Sequence, residues 1–201
     1  MIDSENDINA RISRRVSALR AERELTLDEL AVRCDVSRSM ISLIERGESS
    51  PTAVVLEKVA TGLGVTLASL FEADHADGTP LVRRGDQLSW RDPASGYVRR
   101  NISPPDFRSP IQLVEVVFPP RAKVAYETSA REGRVDQQIW VLEGAINILW
   151  GDEEYALKEG DCLAMQLNRH TAFSNPHRRT ARYMVAITTK YLQKISNRVW
   201  L

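Results

Sequence analysis

Two cysteines, three histidines and no net charge are what this chain of 201 residues has in short supply. Cys34 and Cys162 fall in stretches of different character, and neither has a partner nearby in sequence. That argues against a disulfide framework and for a reducing, cytoplasmic setting. No apolar run is long enough to span a bilayer. The opening MIDSENDINA is acidic and polar, unlike a signal peptide. Lysine and arginine number 27 and so do the acids, which argues against indiscriminate coating of nucleic acid. A local basic face remains open to the chain: Arg11, Arg14, Arg15, Arg38 and Arg46 can share one side while acids sit elsewhere. The chain is 43% hydrophobic and 27% charged, the balance of a soluble globular protein of one domain or two.

The most informative stretch is 26–47, TLDELAVRCDVSRSMISLIERG. Thr26 and Glu29 are spaced as a capping box. The helix they open repeats Leu27, Leu30, Ala31 and Cys34 at helical spacing. Asp35 falls where a left-handed residue is wanted, which Asp tolerates better than most. Ser37 caps a second helix, with Val36 and Ile41 placed as a hydrophobic staple. Gly47 is its stop. Ile41 and Ile44 face inward and Met40 lies at the edge. Arg38, Ser39, Ser42, Leu43 and Arg46 are left outside, a short polar and cationic face at a helix N-terminus. A DNA-reading helix presents such a face to base edges in the major groove.

These residues, and above all SRSMISLIERGESSPT at 37–52, resemble the helix-turn-helix of the XRE-type family, the phage Cro and repressor-like proteins. The resemblance covers the first third of the chain. It implies a five-helix, lambda-repressor-like DNA-binding domain over 1–71. It implies DNA contacts from Thr26, Leu27, Ser37, Arg38, Ser39, Ser42, Leu43 and Arg46. It further implies an ion pair between Arg20 and Glu45. The flanking pattern agrees. Ile8, Ile12, Val16 and Leu19 stripe a first helix over 8–22, and Val55, Leu56, Val59 and Leu63 a fourth, opened at Pro51. Thr66 caps a short fifth helix ending at Phe71. A small bundle that binds protein would share the periodicity but not the exposed Arg-Ser face.

Composition then shifts. EADHADGTP at 72–80 lacks periodicity and reads as a linker, with His75 a solvated residue in it. Beyond it, strand-like runs at 87–91, 97–102, 111–118, 137–142, 145–150, 154–157, 162–167, 171–174 and 181–188 alternate with turn signals, as in a β-sandwich or barrel. The tail 191–201 reads as a short packed element.

Trp140 to Gly144, the strand after it, and Leu157 to Asp161 resemble the cupin core. This implies an all-β jelly-roll barrel over 81–201, an α+β chain of two domains, and a regulator whose barrel acts as sensor. Metal cupins carry two His, a Glu and a further His. Carried over, the Glu position falls on Gln137 and the last His position on Thr171, with His170 beside it and Asn175 at the family's asparagine. The stretch 130–133 holds no histidine. An amide and a hydroxyl are weak ligands for zinc or iron, so we expect no metal, no cofactor and no catalysis. Tyr126, Glu127, Gln137, Ile139 and Thr171 are the candidate ligand-binding residues, and Arg131 or Arg134 would favour a carboxylate. Expected partners are a double-stranded DNA operator, a small-molecule effector and a second copy of the chain. The rivals are a metal-dependent cupin enzyme with a DNA-binding head, and a β domain that only dimerises.

Overall fold

The computed structural model describes residues 4–72, 78–105, 107, 109–127 and 135–189. His75, the stretch 130–133, Arg131, Arg134 and the tail 191–201 lie outside the described residues. No helix among the described residues is long and apolar enough to cross a membrane.

Helix α1 runs Ser4–Glu22, α2 Leu27–Cys34, α3 Arg38–Glu45 and α4 Ala53–Gly62. Their starts are written locally. Thr26, Ser37 and Thr52 each accept a hydrogen bond from the amide three residues on, and the Glu29 carboxylate accepts in turn from the Thr26 amide. Asp35 ends α2 in the left-handed region at φ 50°, where an Asp side chain is tolerated. Gly62 closes α4 against α2: a Cβ there would stand 2.7 Å from the Cys34 Cβ, so only glycine allows this approach. Ile8, Ile12, Val16, Leu30, Ile41, Ile44, Leu56 and Leu63 fill the core between these helices. The expected fifth helix is instead a 3-10 turn, Leu67–Phe71, capped by Thr66. Five residues, all buried, are too few to close an α-helical ladder.

Ten strands follow. They are β1 Ser89–Arg91, β2 Val98–Asn101, β3 Ile111–Phe118, β4 Lys123–Tyr126, β5 Val135–Glu143, β6 Ala145–Trp150, β7 Glu153–Lys158, β8 Cys162–Gln166, β9 Thr171–Ser174 and β10 Ala181–Thr189. One sheet has the order β1-β2-β3-β10-β5-β8 and the other β4-β9-β6-β7. Every pairing among the described strands is antiparallel. From β3 onward successive strands are dealt to two facing sheets in jelly-roll order, as the cupin resemblance implies. The expected closed barrel is corrected: the ladders form two separate sheets, because no pairing among the described residues joins an edge of one to an edge of the other. Strand β4 is an addition that sequence patterning did not supply.

Helical head and β unit share one core. Phe71 packs edge-on against Trp90, with ring centroids 6.0 Å apart. The buried Asp92 accepts a 2.9 Å hydrogen bond from the Ala53 amide, the first residue of α4. The same carboxylate takes the Ser95 amide at 2.8 Å, so one side chain serves a helix start and a turn in different units. Cys34 is buried in the head and Cys162 exposed on the β unit, both as free thiols.

Candidate functional site

The first candidate face is built by the turn between α2 and α3. Ser37, Arg38, Ser39 and Arg46 are exposed, as is Thr26 at the start of α2; Leu27, Ser42 and Leu43 are half-buried beside them. The inward residues Ile41 and Ile44 anchor α3 from behind. Both arginines of the face hold acids: Arg38 lies 3.3 Å from Asp28, and Arg46 binds both oxygens of Glu48 at 2.9 Å. Arg46 also hydrogen-bonds the Ser42 hydroxyl. These are exposed pairs worth at most about 1 kcal/mol, so phosphate or a base edge can take the place of the acid. Arg15 does not join this face. It donates to the Ser69 carbonyl and approaches Glu72, turned toward the 3-10 segment because its position on α1 faces that contact.

Helix α3 is held by α1. Arg20 grips Glu45 with two parallel bonds, Nε to Oε1 at 2.7 Å and Nη2 to Oε2 at 2.8 Å, while Nη1 donates to the Leu25 carbonyl at 2.8 Å. The hydrogen bond to Glu45 holds the guanidinium pKa above its ordinary value. Ser13 adds a bond from its hydroxyl to the Glu45 carbonyl. The ion pair implied by the family resemblance is present.

The second candidate is a cavity of about 80 Å³ between the two sheets, reaching the head. Tyr126, Gln137 and Thr171 line it, three of the five residues expected. Two do not. Ile139 is fully buried two residues further along β5, in the packed core, and Glu127 is exposed just past the end of β4. His170 is exposed, while Thr171 next to it is buried and bonds the Arg169 carbonyl. Asn175 is spent on structure, donating to the Phe118 and Arg179 carbonyls and accepting from the His177 amide.

The rest of the wall is aromatic and aliphatic: Tyr97, Phe118, Phe173 and Tyr183 with Val116, Val185 and Ile187. Seven of the thirteen aromatic residues form one connected run from the head inward: Phe71, Trp90, Tyr97, Phe118, Tyr183, Phe173 and Tyr126. The Tyr97 and Tyr126 hydroxyls stand 3.3 Å apart. Burial pushes the hydroxyls of Tyr126 and Tyr183 well above the usual value, and that of Tyr97 up, so all three are neutral hydrogen-bonding groups.

Arg99 is the residue that sequence reasoning missed. It lies on β2 facing inward, only 6% exposed, in the cavity wall. Its Nε and Nη2 are buried without a hydrogen-bond acceptor among the described residues. Its Cζ lies 5.2 Å from the centre of the Phe71 ring, which offsets part of the burial by a cation–π contact. Each unpaired buried donor costs about 1–3 kcal/mol, more on a charged group. Burial lowers its pKa, yet an arginine remains protonated. The signal was the pair Arg99-Arg100: on a strand with one face in the core, adjacent residues point opposite ways, so one of two neighbouring arginines must be inside. Arg100 is the outer one, bonded to Glu115.

A divalent metal does not fit this wall. Among the described residues the wall holds no imidazole and no thiolate, Glu57 is its one carboxylate, and a guanidinium already occupies it.

Comparison with known proteins agrees with the head. The helix-turn-helix family model HTH_3 matches residues 16–70. The control protein C.MunI of Mycoplasma sp is 39% identical over 67 residues, 33% of this chain and 90% of that protein. The HTH-type transcriptional regulator SutR of Escherichia coli is 42% identical over 71 residues, 35% of this chain and 39% of that protein. A crystal structure of an HTH_3 family transcriptional regulator from Vibrio cholerae superposes with a TM-score of 0.74 at 22% identity, over 93% of this chain and 99% of that one. At that identity the likeness is one of fold, and it spans both head and β unit. With a small relative matched over nine-tenths of its length, and with α2 and α3 set as the motif requires, the chain belongs to the XRE-type helix-turn-helix family, HTH_3.

Proposed function

We propose that the chain is a sequence-specific DNA-binding transcriptional regulator whose β unit senses a small molecule and catalyses nothing. The observation that carries this is the exposed Ser37-Arg38-Ser39-Arg46 face on a doubly capped helix pair, joined through a shared core to a walled cavity. Thr26, Leu27, Ser42 and Leu43 flank that face and complete the contact set. Side chains at the start of α3 enter the major groove, and Arg38 is the reader of a base edge, guanine by its fork geometry. The organisation is a head over 1–71, a linker over 72–80 and a sensor over 81–201, acting in the cytoplasm. The effector lies among Tyr126, Gln137 and Thr171. The outward face of the larger sheet, where Ile111, Leu113 and Trp140 are exposed, supports pairing of two copies. A two-fold dimer sets its heads on half-sites roughly 34 Å apart, one helical turn.

Selection of bound sequences from a randomised duplex pool tests the DNA half. A palindromic consensus with one-turn spacing is expected, and enrichment of no consensus would refute it. Melting of the full chain against a library of small metabolites tests the sensing half. Stabilisation that Gln137→Ala and Thr171→Val both blunt supports the cavity; stabilisation indifferent to both would move the site elsewhere.

A further inference from the structure

We infer that the cavity takes a small carboxylate, held by the guanidinium of Arg99. The inference rests on the reading of the β unit as a sensor and names the ligand's class. A charged group with two buried, unpaired donors is an incomplete site. Folding leaves it unsatisfied, and an anion in the adjoining space would complete it. The planar fork of arginine matches the two oxygens of a carboxylate. Among the described lining residues nothing else takes that role: Nε and Nη2 donate to no carboxylate, Glu57 included, and the remaining polar groups are neutral. Those neutral groups, the hydroxyls of Tyr97, Tyr126 and Thr171 and the Gln137 amide, can serve polar atoms near the charge.

Size and polarity set the rest of the molecule. A cavity of about 80 Å³ is several times the roughly 10–15 Å³ that a single water needs, yet small enough to call for a short molecule. Val116, Phe118, Phe173, Val185 and Ile187 offer an aliphatic and aromatic lining. The fitting ligand is therefore a short organic acid with an apolar body, not a free inorganic anion. Thr66, Leu67 and Ala68 of the head belong to the same wall. The acid is thus enclosed by both units.

Calorimetric titration of the full chain tests this, with butyrate and isovalerate against isovaleramide and isoamyl alcohol. The acids should bind at least tenfold more tightly than the neutral molecules of equal shape, and inorganic phosphate should bind no better than the amide. Arg99→Gln should erase the preference for the acids. The same variant should melt higher than the wild type without ligand, since it removes an unpaired buried charge. Arg99→Lys, which keeps the charge without the fork, should fall between. Equal binding of acid and amide by the wild type would overturn the carboxylate assignment and leave the sensor reading standing. Binding of phosphate as tightly as isovalerate would overturn the apolar half. If neither acids nor neutral analogues bind, the proposal falls, and the metabolite screen above judges the sensor reading separately.

Discussion

Glu45→Gln isolates the interaction that fixes the angle of the recognition helix. The change keeps shape and removes charge. It also turns one of two acceptors into an amide donor facing the Arg20 fork. The magnitude lies between two limits: an exposed pair is worth at most about 1 kcal/mol, and breaking a buried one costs about 3–5. The side chains are 21% and 11% exposed, nearer the buried limit, and both bonds are short. A loss of about 2–3 kcal/mol follows, in line with the 1.5–3 kcal/mol typical of hydrogen bonds to charged groups. For a chain of this length that lowers the melting temperature by about 4–12 °C. Urea titration followed by circular dichroism measures the loss, and a double-mutant cycle with Arg20→Met isolates the pair from the Leu25 carbonyl bond. Repetition at about 1 M salt should leave most of the coupling, because a half-buried pair is poorly screened. A loss below about 0.5 kcal/mol, the range of inconsequential surface changes, would show that the clamp is decorative.

Three further outcomes are expected. Arg38→Ala should cost about 1–3 kcal/mol on the preferred operator and relax selectivity at one base pair, seen by repeating the sequence selection; unchanged selectivity would remove Arg38 from base reading. Asp92→Ala should cost about 2–4 kcal/mol of unfolding free energy by urea titration, since it orphans the amides of Ala53 and Ser95 in a buried seam; a silent variant would mean the seam is solvated. Burial alone would raise the Glu115 carboxyl, but hydrogen bonds from Arg100 and Arg182 outweigh it and hold the pKa below the ordinary value. A depressed folded pKa gives stability that is complete above the unfolded value, about 4.3, and is lost as pH falls through the folded one. Wild type should therefore lose more stability than Glu115→Gln below about pH 4.3 in pH-dependent melts; parallel curves would refute the assignment.

The head was legible because its signals are local. Thr26 and Ser37 each accept from an amide three residues on, so capping residues alone locate the two starts of the helix-turn-helix; the fourth helix, read from Pro51, begins at Ala53 with Thr52 as its cap. Gln137 and Thr171 were placed by motif and do line the cavity. Strand β4 was not legible: it has four residues after two prolines, and among the described residues it pairs with β9 alone, far along the chain. The same holds for the seam, where Ala53 meets Asp92. Arg99 escaped for a different reason. Two adjacent arginines look like surface, and only the pleat decides which one goes inside.

That seam bears on how far the two units can be treated as interchangeable parts. In sequence the head ends near Phe71 and a new composition begins, which invites grafting it onto another sensor. The contacts do not stop there. A chimera would strip the Asp92 carboxylate from the start of α4 and leave Phe71 without Trp90. A successor sensor would have to bring its own acceptor and its own ring to those two places. Units that read as modules along the chain are, at this joint, parts of one machined fit.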